Sequence, residues 1–424
     1  MTTGATTPRQ VEPRWTELES IVGVSHLRSA TEFDTVDDVT PSFVISPASN
    51  EEIAEALKWA TAAEIAVCVR SGGTKMRWGN PPRRVHLILS MERFSGACEH
   101  AWEDMTFTVK AGVTISAVQK DLATHGQRLA LDPLWPEHST IGGVIATNDS
   151  GALRLRFGSI RDLLLGVTTV LAGGTIARSG GKVVKNVAGY DLPKLLTGSF
   201  GTLGVITEAT FRAHPLPQST RSLSFAFADA DQANRFLLAI ADAPLVPTGL
   251  QLRRQDGSNP IVDLRFEGIP VGIDAQIEKA LSLSENAAHS DAPGDCWAFR
   301  ESLWQGSSPA VVGKFSVLPT KIACAANLVR RNFGLAKIVV QSIGIGLFRG
   351  ETESLEHLSQ SIAGLQASLA EIGGTLTLLD LPLELKRQVD VFGPARDAYP
   401  LMRRIKQQFD PNATLNPGRF VGGI

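Results

Sequence analysis

The chain has 424 residues, 43% of them hydrophobic, which is enough to bury a sizeable core and more than one domain. A net charge of −2 excludes the strongly basic surface of a nucleic-acid binder, and four scattered cysteines (Cys68, Cys98, Cys296, Cys324) with no C-x-x-C exclude an encoded zinc site or cysteine-held iron–sulfur cluster. With no run of about 18 apolar residues and no apolar signal core, a cytoplasmic location is expected, with membrane contact only through a partner.

Residues 1–37 are polar and weakly patterned, and are expected as an N-terminal arm that docks on the rest. Pro41 and Pro47 bracket a short strand. Ser49 and Glu52 then form a capping box for a helix whose apolar stripe is Ile53, Ala56, Leu57 and Ala60. I-A-V-C-V-R (65–70), V-H-L-I-L-S (85–90) and F-T-V-K-A (107–111) read as strands. A helix carrying Ile115, Val118 and Leu122 on one face stops at Gly126. Residues 166–178 read as strand, A-G-G turn and strand, and another strand runs through Thr210 to Arg212. His214-Pro215-Leu216-Pro217 marks a boundary. Beyond it, strands at 222–228, 338–346 and 374–380 alternate with helices at 229–240 and 353–371, a split βαβ pattern. The end, 402–420, reads as a helix and a Pro/Gly-rich turn.

Ser139 to Ile206 is the most informative stretch. It contains T-I-G-G at 140–143, N-D-S-G at 148–151, F-G-S at 157–159 and G-S-F-G-T-L-G-V-I at 198–206. Upstream, Ser71-Gly72-Gly73-Thr74-Lys75 follows a strand but cannot open a helix, because M-R-W-G-N-P-P comes next. No G-x-G-x-x-G is present, and Gly181-Lys182 is followed by Val183 rather than a hydroxyl residue, so neither a Rossmann turn nor a Walker loop is encoded. What remains are loops whose successive N–H groups can nest an anion. Each N–H to phosphate bond is worth roughly 1.5–3 kcal/mol. Taken alone, S-G-G-T reads first as a hairpin turn. The glycine density of the second segment shifts the reading toward a large phosphate-bearing cofactor gripped by backbone.

The strand and S-G-G-T loop, V-K-A-G-V-T (109–114), T-I-G-G-V-I-A-T-N-D-S-G (140–151) and Y-D-L-P-K-L-L-T-G-S-F-G-T-L-G-V-I-T (190–207) resemble, in order and spacing over 38–218, the flavin domain of the vanillyl-alcohol oxidase and p-cresol methylhydroxylase (PCMH) family. N-P-G-R (416–419) resembles the closing motif of its FAD-linked oxidases, and K-N-V-A-G-Y-D-L (185–192) is similar to FAD-binding subunits of glycolate oxidase (glycolate dehydrogenase) complexes. The resemblance implies an α+β fold. A two-subdomain PCMH-type FAD-binding domain would occupy 38–218 and a smaller ferredoxin-like α+β cap 219–400. A C-terminal helix and N-P-G-R turn, 401–424, would return to the FAD domain. It implies Ser71, Gly72, Gly73, Thr74 and Lys75 around the FAD pyrophosphate. Thr140, Ile141, Gly142, Gly143, Asn148, Ser150 and Gly151 would run along the phosphates and ribityl chain. Gly158 would allow close packing, and Gly204, Val205 and Ile206 would bracket the adenine or ribose. Thr74 stands where some members carry the histidine that links the flavin, so FAD is expected to bind noncovalently.

The resemblance also implies a homologous catalytic flavoprotein partner, an iron–sulfur subunit, and glycolate as a small 2-hydroxy-acid substrate. Hydroxy-acid relatives hold a metal with clustered cap histidines and a late Glu-His pair. Here only His289 and His357 lie beyond residue 218, and 375–382 reads T-L-T-L-L-D-L-P, so no metal site is expected. Tyr190 is the one candidate for a catalytic side chain. Arg387, Arg396 and Arg419 read as solvated or docking charges, Lys182 and Lys185 as solvated, and Trp297 and Trp304 as packing. Three functions stay open: an FAD-binding subunit of a glycolate-oxidising complex, a self-sufficient FAD oxidoreductase for another alcohol or hydroxy acid, and a non-catalytic flavin-binding scaffold.

Overall fold

The structure, a computed structural model, describes residues 8–181, 191–255, 257–394 and 397–424. Its N-terminal half holds two sheets around one apolar core. The first has the order Leu27–Ser29, Phe43–Ile45, Leu87–Ser90, Val67–Arg70, parallel except for its first pair. Leu87, Ile88 and Leu89 are all buried. A strand between parallel neighbours is covered on both faces, hence the unbroken apolar run in sequence. The helix Asn50–Ala62 packs Ile53, Ala56, Leu57 and Ala60 inward, and Ser49 Oγ accepts from the Glu52 amide at 3.1 Å as its cap. The segment expected as an arm contributes the helix Pro8–Val22, which buries Leu18 and Val22, and the edge strand Leu27–Ser29.

The second sheet is antiparallel, ordered Ala97–Ala101, Thr106–Lys110, Val205–Arg212, Leu164–Val170, Ile176–Gly180. The long strand Val205–Arg212 therefore runs through its centre, directly after the glycine-rich run. The C-terminal half is one eight-stranded antiparallel sheet built from two successive strand–helix–strand–strand–helix–strand units. The first unit runs from Ser219–Ala226 to Ala288–Asp291 and the second from Ala310–Ser316 to Thr375–Asp380. They join side by side where Gly249–Arg254 pairs with Leu335–Gln341. Each unit has the ferredoxin-like strand order, so the sheet carries an internal two-fold repeat that the sequence does not display.

After the helix Tyr399–Phe409 the chain returns to the first sheet. The Val67 amide donates to Thr414 O at 2.7 Å and the Asn416 amide to Val67 O at 2.9 Å. Lys406 is buried and donates to Asp410, Thr202 O and Leu415 O, pinning this return. Among the described residues no helix is long and apolar enough to cross a membrane.

Candidate functional site: a glycine-lined cleft and a cationic cavity

The strand Val67–Arg70 ends in the loop 71–75, which lies against residues 138–140. A Cβ on Gly72 would stand 2.1 Å from the His138 carbonyl oxygen, so only glycine allows the approach. Gly73 takes φ of 72°, which glycine adopts freely. Thr140 Oγ1 donates to Ser71 Oγ at 2.8 Å and Thr74 Oγ1 meets Ser139 Oγ at 3.2 Å, holding the loop in place. Among the described residues the amides of Gly73, Thr74 and Lys75 donate to nothing in the chain. Three successive free N–H groups beside a cleft form an anion nest. An adjoining cleft shares Ser71, Gly143, Phe200 and Asn416 with it.

Of the residues predicted from sequence, Ser71, Gly72, Gly73, Thr74, Lys75, Thr140, Gly142, Gly143, Gly204 and Ile206 line these two clefts. Ile141 and Val205 are fully buried and line neither. The helix Ile141–Thr147 and the strand Val205–Arg212 turn those side chains into the core. Asn148 sits at φ 49° as the helix C-cap, with a buried Oδ1 that has no partner. Gly151 packs on Asp132, where a Cβ would come within 2.5 Å. Gly158, at φ 81°, packs on Asp162 in the same way, at 2.6 Å. Ser150 lines a different cavity, described below. Tyr190, Lys182, Lys185 and Arg396 lie outside the described residues.

Two cleft residues come from the far end of the chain. Asn416 Nδ2 donates to the carbonyls of Phe200 and Gly201, both at 3.1 Å. Arg419 was expected to be solvated or docking, but it is 4% exposed. Its Nη2 donates to Met76 O at 2.6 Å and Trp78 O at 2.5 Å, while its buried Nη1 has no partner. An unsatisfied buried guanidinium nitrogen at the wall of a cleft is suited to an anionic ligand. The two terminal motifs thus close one cradle.

A second, small cavity lies between the N-terminal half and the face of the eight-stranded sheet. Trp78, Val339, Leu347 and Leu379 form its apolar walls. Its polar groups are Lys314, Arg300, Gln251, Gln341, Asp149 and Ser150. Lys314 projects from the strand Ala310–Ser316 and makes no hydrogen bond or ion pair within 4 Å among the described residues; burial pulls its ammonium below the usual lysine range, with Asp149 opposing. The Gln341 Oε1 and Ser150 Oγ atoms are buried and unpartnered. Arg300 donates to Ser150 O at 3.1 Å and to Asp132 O, and its Nη1 stands 3.6 Å from Asp149. Burial pushes the Asp149 carboxyl up, but the Lys75 and Arg300 charges outweigh it and hold it below the ordinary range. Burial pushes the Asp132 carboxyl up, and Arg300 only partly offsets it.

Gln251 is occupied by Asp263 and the Cys296 carbonyl. His289 and His357 are both exposed, on an edge strand and on the helix Leu355–Glu371. Among the described residues no group of three or more His, Cys, Asp or Glu side chains comes together. Trp304 stacks on Trp78 at 6.1 Å, and Trp297 covers the Arg265 guanidinium at 4.5 Å. Arg387 is exposed and pairs with Asp38.

Residues 41–180 match the family described as FAD binding domain, and residues 394–420 match FAD linked oxidases, C-terminal domain. The chain is similar to the D-lactate dehydrogenase of Archaeoglobus fulgidus, 29% identical over 444 residues that cover 96% of this chain and 98% of that protein. It is also similar to the glycolate oxidase subunit GlcD of Bacillus subtilis, 26% identical over 419 residues covering 90% and 89%. In fold it follows p-cresol methylhydroxylase, solved with substrate bound, with a TM-score of 0.77 at 14% identity over 98% of this chain and 97% of that one. The α+β, PCMH-type architecture expected from the sequence is the one observed.

Proposed function

We propose that this FAD-dependent oxidoreductase serves the oxidation of a small 2-hydroxy acid, glycolate first. The free amides of Gly73, Thr74 and Lys75 would hold the FAD pyrophosphate, with the unpartnered Arg419 Nη1 as its cation. The cleft lined by Gly142, Gly143, Gly204 and Ile206 would take the rest of the cofactor. Thr74 offers a hydroxyl and no imidazole, so FAD is held noncovalently, and acid precipitation of the holoprotein releases it to the supernatant.

The observation that carries the substrate class is Lys314: an ammonium enclosed in an apolar-walled cavity with no partner. A buried cation is costly unless an anion meets it. A carboxylate on Lys314, beside the already hydrogen-bonded Arg300, with Gln341 Oε1 accepting from its hydroxyl, would satisfy the ammonium and the amide oxygen that the chain leaves open. Bound FAD supplies the two-electron acceptor for hydride from the substrate's α-carbon. Trp78, Val339 and Leu379 keep water from the carboxylate and strengthen its pairing. The similarity to a glycolate oxidase subunit supports a place in a multi-subunit complex; in the reading proposed here a second flavoprotein and an iron–sulfur subunit would carry the electrons onward.

The test is anaerobic. The FAD-loaded chain is mixed with glycolate and the flavin absorbance is followed. Bleaching by the chain alone shows a working hydride-transfer site. Bleaching only after the partner flavoprotein is added places the chemistry in the partner and makes this chain a relay or scaffold. No bleaching in either case removes the glycolate reading.

A further inference from the structure

Lys75 belongs to the loop that lines the FAD cleft, yet its ammonium is turned into the protein. It donates to Ser139 Oγ at 2.8 Å, stands 3.3 Å from Asp149 Oδ2, and lies 5.6 Å from the ring centroids of both Trp78 and Trp135. Asp149 borders the second cavity, where Arg300 approaches its other oxygen. Both side chains of the Lys75–Asp149 pair are less than one-tenth exposed, so their interaction is screened little by solvent. The pair therefore spans the wall between the cofactor cleft and the cationic cavity.

We infer that Lys75 is a positioning residue that couples the two sites, so that FAD and a small carboxylate bind cooperatively through Asp149. With the cavity free of anion, Asp149 answers to three cations, Lys75, Arg300 and Lys314, with Asp132 as a second carboxyl near Arg300. An anion lodged between Lys314 and Arg300 takes up those two charges and leaves Asp149 to Lys75. The tightened pair fixes the loop whose amides face the FAD pyrophosphate. By linkage the effect is reciprocal: FAD tightens the carboxylate by the same factor. This inference rests on reading the cleft as the FAD site and the cavity as the carboxylate site.

The test uses the FAD-loaded full chain and oxalate, a small dicarboxylate without an oxidisable hydroxyl. FAD release after dilution is followed as recovery of free-flavin fluorescence, with and without saturating oxalate. In the native chain oxalate slows release about fivefold or more, the lower range of ordinary coupling between sites. Ethylene glycol, uncharged and of similar size, leaves it unchanged. Whatever Lys75→Met and Asp149→Asn do to the separate affinities for FAD and oxalate, the factor by which oxalate slows FAD release falls to about one in each, and the double variant does no more than either. Lys75→Arg keeps the charge and keeps part of the factor, which guards against misfolding as the cause. A factor near one in the native chain, or one that survives Lys75→Met, overturns the inference. Glycolate bleaching without any oxalate effect removes only the coupling. An oxalate effect without glycolate bleaching removes only the substrate reading.

Discussion

Replacing Lys314 by Met separates the two things a buried cation does. Methionine keeps the length and apolar stem of lysine and removes the charge. In the folded chain that charge has no partner, and burial lowers its pKa. The unfolded chain therefore binds the proton more tightly than the folded one. Stability suffers at pH values below the depressed folded value and is regained as pH rises toward the ordinary lysine value of 10.5. Lys314→Met removes this term, so the variant is as stable as the native chain at neutral pH or more so. Carboxylate binding moves the other way. A charge-assisted hydrogen bond contributes about 1.5–3 kcal/mol, so oxalate or glycolate affinity falls about 10- to 150-fold. Isothermal calorimetry on the FAD-loaded protein reads the affinity, and urea unfolding at pH 7 and pH 9 reads the stability. A variant that loses stability while binding oxalate as before would refute the reasoning, because Lys314 would then be a structural cation with a partner.

Gly72→Ala places a methyl 2.1 Å from the His138 carbonyl, so the loop or the 138–140 segment must move. Overpacking of this kind costs about 1–3 kcal/mol; the N–H nest bears it, and FAD affinity by flavin-fluorescence titration falls about 5- to 150-fold while far-ultraviolet dichroism is unchanged. His214 packs edge-on against Phe157 at 4.9 Å, and burial, with Arg212 and Arg128 adding to it, pushes its imidazole down to about 4. The unfolded chain protonates first, so His214 costs nothing above the ordinary value of 6.5 and destabilises increasingly as pH falls from there toward 4. With the ring partly exposed, solvent screening limits the loss to about 1 kcal/mol. His214→Phe should flatten urea-derived stability between pH 6.5 and pH 4 relative to the native chain; an unchanged slope would count against the assignment.

The cradle was legible where residue identity is forced by contact. Gly72 and Gly204 are glycine because a Cβ would meet the His138 carbonyl and Thr169 Oγ1, at 2.1 and 2.6 Å. Such positions announce themselves in sequence. Ile141 and Val205 share those motifs but face the core, and adjacency in sequence does not reveal direction when the element reverses it. Gly158 packs closely on Asp162, as a glycine there implies, and Gly151 is held to glycine by Asp132. Arg419 was missed for another reason. Its partners Met76 and Trp78 lie at the opposite end of the chain, and nothing local in N-P-G-R distinguishes a buried arginine from a solvated one. Lys314 left no signal either: it shares its strand face with Val312 and Ser316, a mixed face on which a lysine is ordinary.

The two units of the large sheet show why the fold alone did not locate the cavity. They share strand order and helix placement, so equal burial of both faces is the simple expectation. The first unit closes its face. Asp263 is fully buried and satisfied by Ser224, Gln251 and Arg253 at 2.6, 3.1 and 2.8 Å. Trp297 covers Arg265 and lies so near Gly249 that a Cβ there would meet its ring at 2.7 Å. The second unit leaves Lys314 and Gln341 Oε1 without partners around a small cavity. Filling that volume with an aromatic residue, as the first unit does, would stabilise the sheet through apolar burial. The chain instead keeps an uncompensated cation there, beside the wall it shares with the FAD cleft. Stability cannot account for that difference between two copies of one architecture, whereas a ligand that supplies the missing negative charge can.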